Sequence, residues 1–364
     1  MFLAEVYTNS SVLANGIIVR NDSKSLKVFI AFDFDIYPFT GPNRDIDFIV
    51  SLSFMTQLKG KNVLVTGGAG FIGFHLTKKL IDLGANVTIY DNLSSGKIEN
   101  VKDVPKAKFI QGDILDVKKL SSLEKADVIF HLAAQVVVPY SMENPLIDFD
   151  TNARGTLCVL EKARKDDAKL LFASSAAVYG NPTKFPTPET YGFTPFSCYG
   201  LSKVVGEEYC QMYMQQYGLD ITILRFANVY GSRCHGVIND FLDKLQKNPE
   251  KLEIIGTGQQ SRDFVHVSDI AEALVLATGE NAVGRTYNLG FGETTKIIDL
   301  AKMILKILKL SNKTAVTTTN VSWQGDVTSI WFDITKAKKE LNWTPKVHLE
   351  DHLRTLIAER KMLK

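Results

Sequence analysis

Tyr199 and Lys203, four residues apart in "YGLSK", can share a proton-transfer task if a helix puts them on one face. A phenol with its usual pKa of ~10 is a poor base at neutral pH. A neighbouring ammonium stabilises the phenolate. Lowering the pKa by about three units takes ~4 kcal/mol, which two close positive charges in a partly dry cleft can supply. Such a pair is common on solvated helix faces, so it needs company. "LLFASSAAVYG" supplies it: a buried-strand pattern ends on Ser174 and Ser175. The carboxyl ends of doubly wound strands are where ligands bind. Ser175 can hydrogen-bond an alcohol and steady the oxyanion or carbonyl that forms as hydride leaves. Ala176 and Ala177 follow, and neither transfers a proton. His131 and His266, the other tempting groups, read as structural.

The second positive charge and the hydride acceptor come from another stretch. "VTGGAGFIG" sets Gly67, Gly70 and Gly73 between a strand pattern and a helix pattern. A dinucleotide site needs glycine there, because the turn is tight, the pyrophosphate approaches the backbone and helix packs on strand. The phosphates then meet free N–H groups at the positive end of the helix. The next strand ends "TIYD", where Asp91 can accept hydrogen bonds from a ribose diol and would repel a 2′-phosphate. No arginine follows in "NLSSGK", so NAD is favoured over NADP, with Lys97 the one nearby cation. Asp113 in "QGDI" falls near the adenine edge; acids at strand ends also serve as turn residues. The nicotinamide ring is then the second positive charge beside Tyr199, and Lys203 can also hydrogen-bond the nicotinamide ribose, so Tyr199 and Lys203 count among the cofactor-binding residues too.

The elements that must position these groups are regular from residue 61. Apolar runs at 62–67, 86–91, 108–113, 127–133, 169–175 and 221–228 alternate with amphipathic stretches such as "GFHLTKKLIDLG". Continuous apolar strands separated by helices mean βαβ units and a parallel sheet covered on both faces. The fold class is therefore α/β, a doubly wound (Rossmann) sheet. Beyond residue 232 the rhythm loosens into helices near 237–247, 267–278 and 297–309, which read as a smaller lobe over one edge of the sheet. The expected organisation is a mainly Rossmann domain over 60–231 and a mainly substrate-binding lobe over 232–364, with some segments returning to the sheet. Residues 1–54 stand apart: their patchy alternation is compatible with short hairpins or with poor order, and Met55 is an alternative start.

The 364 residues are 45% hydrophobic and 23% charged, an ordinary globular composition. A net charge of +2 gives no reason to expect nucleic acid. Four cysteines (Cys158, Cys198, Cys210, Cys234) without a Cys-x-x-Cys pair argue against a disulfide scaffold or zinc, so no metal is expected. No apolar run reaches the ~18 residues of a membrane span, and the start lacks a basic secretion signal. In "LAKMILKILKL", Lys302, Lys306 and Lys309 read as the solvated stripe of a core-facing helix rather than a membrane surface. The reading is a soluble cytoplasmic protein.

Together these stretches, with "YDNLSSG", "HLAAQ", "TNARGT", "RFANVYG", "RDFVHVSDIA", "YNLG" and "KKELNW", resemble the extended short-chain dehydrogenases/reductases, and among them the nucleotide-sugar 4-epimerases of the UDP-glucose type. The likeness runs from about Gly60 to the C-terminus. It implies an NAD-binding domain, a C-terminal lobe holding a nucleotide sugar, and commonly a two-fold homodimer. It makes Tyr199 the acid/base, Lys203 its partner and Ser175 the helper. It implies that the backbone at Phe71 and Ile72 meets pyrophosphate, and that Asp91 and Asn92 meet the adenosine ribose. Asp113 and Ile114 would meet adenine. Leu132, Ala133 and Ala134 would line the cofactor groove with Asn152 beside it. On the substrate side it implies Asn228, Arg262 as a main diphosphate clamp, and Asp326.

Sister dehydratases carry an Asp-Glu pair after the helper hydroxyl, and sugar-nucleotide decarboxylases tend to carry a glutamate there. With Ala176 and Ala177 instead, the expected chemistry ends at hydride removal from C4 and its return to the opposite face. The sequence departs from the family where Trp323 of "SWQGDV" replaces a phosphate-binding arginine and where "GSR" replaces Gly-Pro-Arg. Ile330 at a size-gating position suits an N-acetylated sugar. Pro139 stands where uronate epimerases tend to have an arginine, which favours a neutral hexose. The rivals are a dehydratase or keto-sugar reductase on the same scaffold, and a non-catalytic NAD-binding partner protein.

Overall fold

The computed structural model describes residues 57–234 and 236–362 and, before them, four strands. The chain divides into two units, Met1–Gln57 and Leu58–Lys364. In the first, Ser10–Leu13, Ile17–Asp22, Ser25–Phe32 and Asp35–Phe39 pair in sequence order as an antiparallel sheet. The rest of the stretch 1–54, and Met55, lie outside the described residues.

The second unit is built on seven parallel strands. Their spatial order is Thr286–Leu289, Ile221–Phe226, Lys169–Ser175, Val128–His131, Asn62–Thr66, Asn86–Asp91 and Lys108–Gln111. From Asn62–Thr66, the first of these strands in the chain, the chain winds outward to Lys108–Gln111, then crosses back to Val128–His131 on the other side. That reversal opens a crevice at the strands' carboxyl ends, the position where such sheets bind ligands. The inner strands are largely apolar because helices cover both faces. Leu64, Ile129, Leu170, Phe172, Ile221 and Ile223 are buried in one cluster. Each such side chain is worth roughly 1.5–3 kcal/mol when fully buried.

The structure corrects the sequence expectation at strand ends. The runs at 108–113 and 127–133 stop as strands at Gln111 and His131, and the run at 221–228 breaks after Phe226. Just past these ends, Gly112, Leu132 and Ala227 line the crevice. The edge strand Thr286–Leu289 was not expected as a strand. It is only four residues long, with Asn288 buried in its middle rather than an apolar run.

The three later helices form at Val237–Lys247, Val267–Leu276 and Ile297–Ile307. Phe241, Leu242, Leu300 and Ile304 from the first and last of these bury against Leu353 and Ile357 of Leu349–Glu359. Two short pairings matter for the site. Ser261–Arg262 lies parallel to Ser329–Ile330, which carries Arg262 toward the "SWQGDV" loop. Trp343 of "KKELNW" is buried and donates its indole N–H to the Asp269 carbonyl at 2.9 Å, fastening the C-terminal segment to the helix Val267–Leu276.

Candidate active site

One cleft of about 740 Å³ runs along the carboxyl ends of the strands and on to Arg262 and Trp323. Its first half is the glycine turn. Gly67 has φ +72°, and a Cβ there would sit 2.7 Å from the Ala133 nitrogen. A Cβ on Gly73 would sit 2.2 Å from the Gly67 carbonyl. Both positions therefore require glycine, and the turn can approach a ligand without side chains in the way. Gly70 precedes the helix Phe71–Asp82. Phe71 and Ile72 line the cleft in its first turn, where backbone N–H groups lack intrahelical acceptors.

Asp91 ends its strand almost fully buried. It accepts the Ala69 N–H at 3.0 Å and the Leu93 N–H at 2.8 Å, so it also latches the glycine turn. Burial pushes its carboxyl above the usual range. Asn92 donates to Asp113 at 2.9 Å. Asp113 accepts the Leu115 N–H at 2.9 Å, so it shapes a turn while lining the cleft beside Ile114. Leu132, Ala133 and Ala134 line the opposite wall.

Asn152 is brought near but not into the cleft. It lies buried in a π-helical turn, Asp150–Arg154, a feature common at functional sites. Its side chain accepts the Gln135 N–H at 2.9 Å and donates to the Gln135 carbonyl and to Asp148, each at 2.9 Å. It clamps the loop after His131 from behind, and its polar groups are committed there. That is the place beside the groove that the resemblance implies.

His131 is a buried neutral imidazole, held at a pKa of about 3 by burial. The Thr156 hydroxyl donates to the Asn152 carbonyl at 2.6 Å, so His131 Nε2–H donates to Thr156 and Nδ1 accepts from Thr66. His266 caps the helix Val267–Leu276.

The helix Cys198–Tyr217 carries Tyr199 and Lys203. Ser197 caps it, its Oγ accepting the Gly200 N–H at 3.1 Å, and Ser141 Oγ accepts the Tyr199 N–H at 3.1 Å. The phenol and the Ser175 side chain line the same cleft, and Ser175 Oγ accepts the Ala177 N–H at 3.2 Å. Lys203 is buried, donates to the Ala173 carbonyl at 2.9 Å, and lies 5.2 Å from the Phe172 ring centroid.

Burial dominates the electrostatics of this pair. Tyr199 keeps part of its surface open to the cleft while its hydroxyl lies deep, and burial pushes the phenol up to about 12. The Ser175 side chain opposes this, and the Asp148 charge adds to it. Lys203 does not by itself bring the phenol down. Burial lowers Lys203 to about 8, against the pull of Asp148, Cys210 and Glu207. Ionising the phenol at neutral pH therefore takes about 7 kcal/mol, at ~1.4 kcal/mol per unit. A positive ring bound in the cleft, together with Lys203 held as ammonium, is what remains to supply it.

At the far end Arg262 pairs with Asp326 at 2.6 Å, both largely buried. Arg262 also donates to the Ser261 carbonyl at 2.8 Å, and Gln260 and Ser322 donate to Asp326. A diphosphate would share Arg262 with this carboxylate. Asn228, Pro139, Ile330 and a 41% exposed Trp323 also line the cleft. Sequence reasoning missed Asp148, Gln135 and Ser141. The one signal was spacing, since Asp148 precedes Asn152 by four residues in a helical stretch.

Among the described residues no group of three or more His, Cys, Asp or Glu has a geometry that could hold a metal, and no helix is long and apolar enough to cross a membrane. The family model described as GDP-mannose 4,6 dehydratase matches residues 64–356. The Thermotoga maritima UDP-glucose 4-epimerase, solved with UDP-glucose, is 39% identical with a TM-score of 0.77, covering 83% of this chain and 100% of its own. UDP-glucuronic acid decarboxylase 1 of Xenopus tropicalis is 33% identical over 84% of this chain and 73% of its own length. The dTDP-glucose 4,6-dehydratase of Streptomyces venezuelae, solved with NAD bound, is 28% identical with a TM-score of 0.77, covering 82% of this chain and 97% of its own.

Proposed function

From its membership of the GDP-mannose 4,6 dehydratase family, the extended short-chain dehydrogenases/reductases to which this chain belongs, we propose a narrower activity: inversion of C4 of a UDP-sugar through a transient 4-keto sugar. The family is NAD-dependent, and the glycine turn fits that cofactor, since the Gly67 and Gly73 positions leave no room for a Cβ. Bound there, NAD supplies a hydride acceptor that becomes the donor in the second half of the reaction. In this reading Gly67, Gly70, Gly73, Phe71 and Ile72 hold its pyrophosphate. Asp91 and Asn92 hold the adenosine ribose, and Asp113 and Ile114 the adenine. Asn152 steadies the groove from behind.

Tyr199 takes the proton of the C4 hydroxyl and returns it. Ser175 shares that proton's hydrogen bond and steadies the carbonyl. Lys203 keeps positive charge beside the phenolate. Asn228, Arg262 and Asp326 hold the nucleotide sugar in a lobe that residues 232–364 mainly provide, over a cofactor domain in 60–231. The observation that carries the reading is that Tyr199 and Ser175 line one cleft, with Ala176 and Ala177 directly after the serine. A site with one proton carrier and no acid directly after the helper serine suits removal and return of hydride at one carbon. Dehydration and decarboxylation draw on further groups. Pro139 in the cleft favours a neutral sugar, glucose/galactose or the N-acetylated pair.

We also propose a homodimer. The helix Cys198–Tyr217 exposes Leu201 (54%), Tyr209 and Met212, and the neighbouring helix Pro145–Phe149 exposes Leu146 (79%). Covering such a face is worth about 25 cal/mol per Å² of apolar surface.

The test is product analysis by NMR. Purified protein given UDP-glucose without added reductant is expected to yield UDP-galactose, or the N-acetyl pair to interconvert. A stable 4-keto-6-deoxy product, or a pentose formed from UDP-glucuronate, would overturn the reading.

A further inference from the structure

Asp148 is a buried carboxylate beside the reacting groups with no part in the roles above. It has no exposed surface and sits in the helix Pro145–Phe149. Oδ1 accepts from Gln135 at 3.0 Å and from Asn152 at 2.9 Å. Oδ2 is buried without a well-formed hydrogen bond, beside the Ser202 hydroxyl, which donates to the Tyr199 carbonyl at 3.0 Å. An asparagine would make both Oδ1 bonds without burying a charge. The position therefore calls for a reason to keep a carboxylate, because an ionised group out of water needs an opposite charge.

Burial pushes the Asp148 carboxyl up, and Lys203, on the helix Cys198–Tyr217 packed against Pro145–Phe149, is the cation that opposes this without a direct ion pair. Its acidic neighbours are Asp148 and Glu207, with the Cys210 thiol on its own helix and neutral His131 on the sheet side. Glu207 is already taken, with both oxygens on Arg225 and one also on Ser174. Tyr199 faces Ser175 and the same Asp148. We infer that Asp148 is a positioning residue, the carboxylate that keeps Lys203 as an ammonium beside the Tyr199 phenol. This rests on the roles proposed for Tyr199 and Lys203. The negative charge has two consequences of one sign: it holds the proton on Lys203 and also holds it on Tyr199. Removing it lowers both pKa values, so the rising limb of activity, which needs the phenolate, and the falling limb, which needs the ammonium, both move to lower pH.

The experiment compares Asp148→Asn and Asp148→Ala with the wild-type holoenzyme by two readouts. One is the pH profile of kcat/KM. The other is the ultraviolet difference titration of the phenol in the NAD-loaded protein, with Tyr199→Phe as blank. Both variants are expected to shift the phenol titration and both limbs to lower pH by about one unit, the low end for one close charge. Asp148→Asn is expected to keep the wild-type Tm, and Asp148→Ala to lower it. An unshifted titration with reduced kcat, or failure of both variants to fold, would overturn the inference. The titration does not depend on which reaction is catalysed. A shifted phenol in a protein without epimerase activity would keep this inference and remove the proposed function; the converse result would do the opposite.

Discussion

Ser174 and Ser175 are neighbours on one strand, and their hydroxyls belong to two clusters of opposite character. Ser174 donates to Glu207, which forms a buried ion pair with Arg225. Arg225 also donates to the Tyr179 hydroxyl at 2.6 Å and the Glu189 carbonyl at 3.0 Å, and Tyr179 donates to Asn288 at 2.8 Å. Every charge there has its partner. Ser175 faces Tyr199, whose phenol sits near 12, and Lys203, whose amine sits near 8 with a backbone carbonyl as its hydrogen-bond acceptor. The first cluster is satisfied and holds its protons in place. The second is under-satisfied, so small changes in nearby charge move them. Both partners sit on the helix Cys198–Tyr217, Tyr199 in its first turn and Glu207 about two turns further on.

Substitutions can break that comparison. The largest effect is expected from Glu207→Ala, which leaves Arg225 buried and unpaired. A loss of about 3–5 kcal/mol in unfolding free energy is expected, read from the urea midpoint. A midpoint near wild type would mean that the first cluster is not the structural one. The paired change is smaller. Ser175→Ala is expected to lower kcat by about 10²-fold with little change in Tm. Ser174→Ala is expected to cost about 1–3 kcal/mol of stability with kcat changed only a few-fold. Equal losses of activity in the two variants would erase the distinction.

Much of the scaffold was legible because its signals are local. Lys169–Ser175 is an unbroken apolar run, and the glycines of "VTGGAGFIG" sit between a strand and a helix. Tyr199 and Lys203 share a helix face because their spacing is four. What was hidden depends on burial and on distant partners. The strand Thr286–Leu289 is short and carries a buried Asn288 whose bonds go to Thr187, Glu189 and Tyr179. The bonds by which Asn152 clamps Gln135 from a π-helical turn carry no motif of their own. The high phenol pKa of Tyr199 comes from depth, which spacing does not encode. Asp148 gave no motif to read, since its importance lies in facing a lysine 55 positions later in the chain.

The central claim is that the Tyr199 phenol is the proton carrier in a cleft that holds NAD by other residues. It is tested most directly by Tyr199→Phe, with turnover of UDP-glucose and bound NAD measured on the same preparation. The account predicts a loss of at least about 10²-fold in kcat with NAD still bound at the wild-type ratio. Near-wild-type turnover in that variant would contradict it.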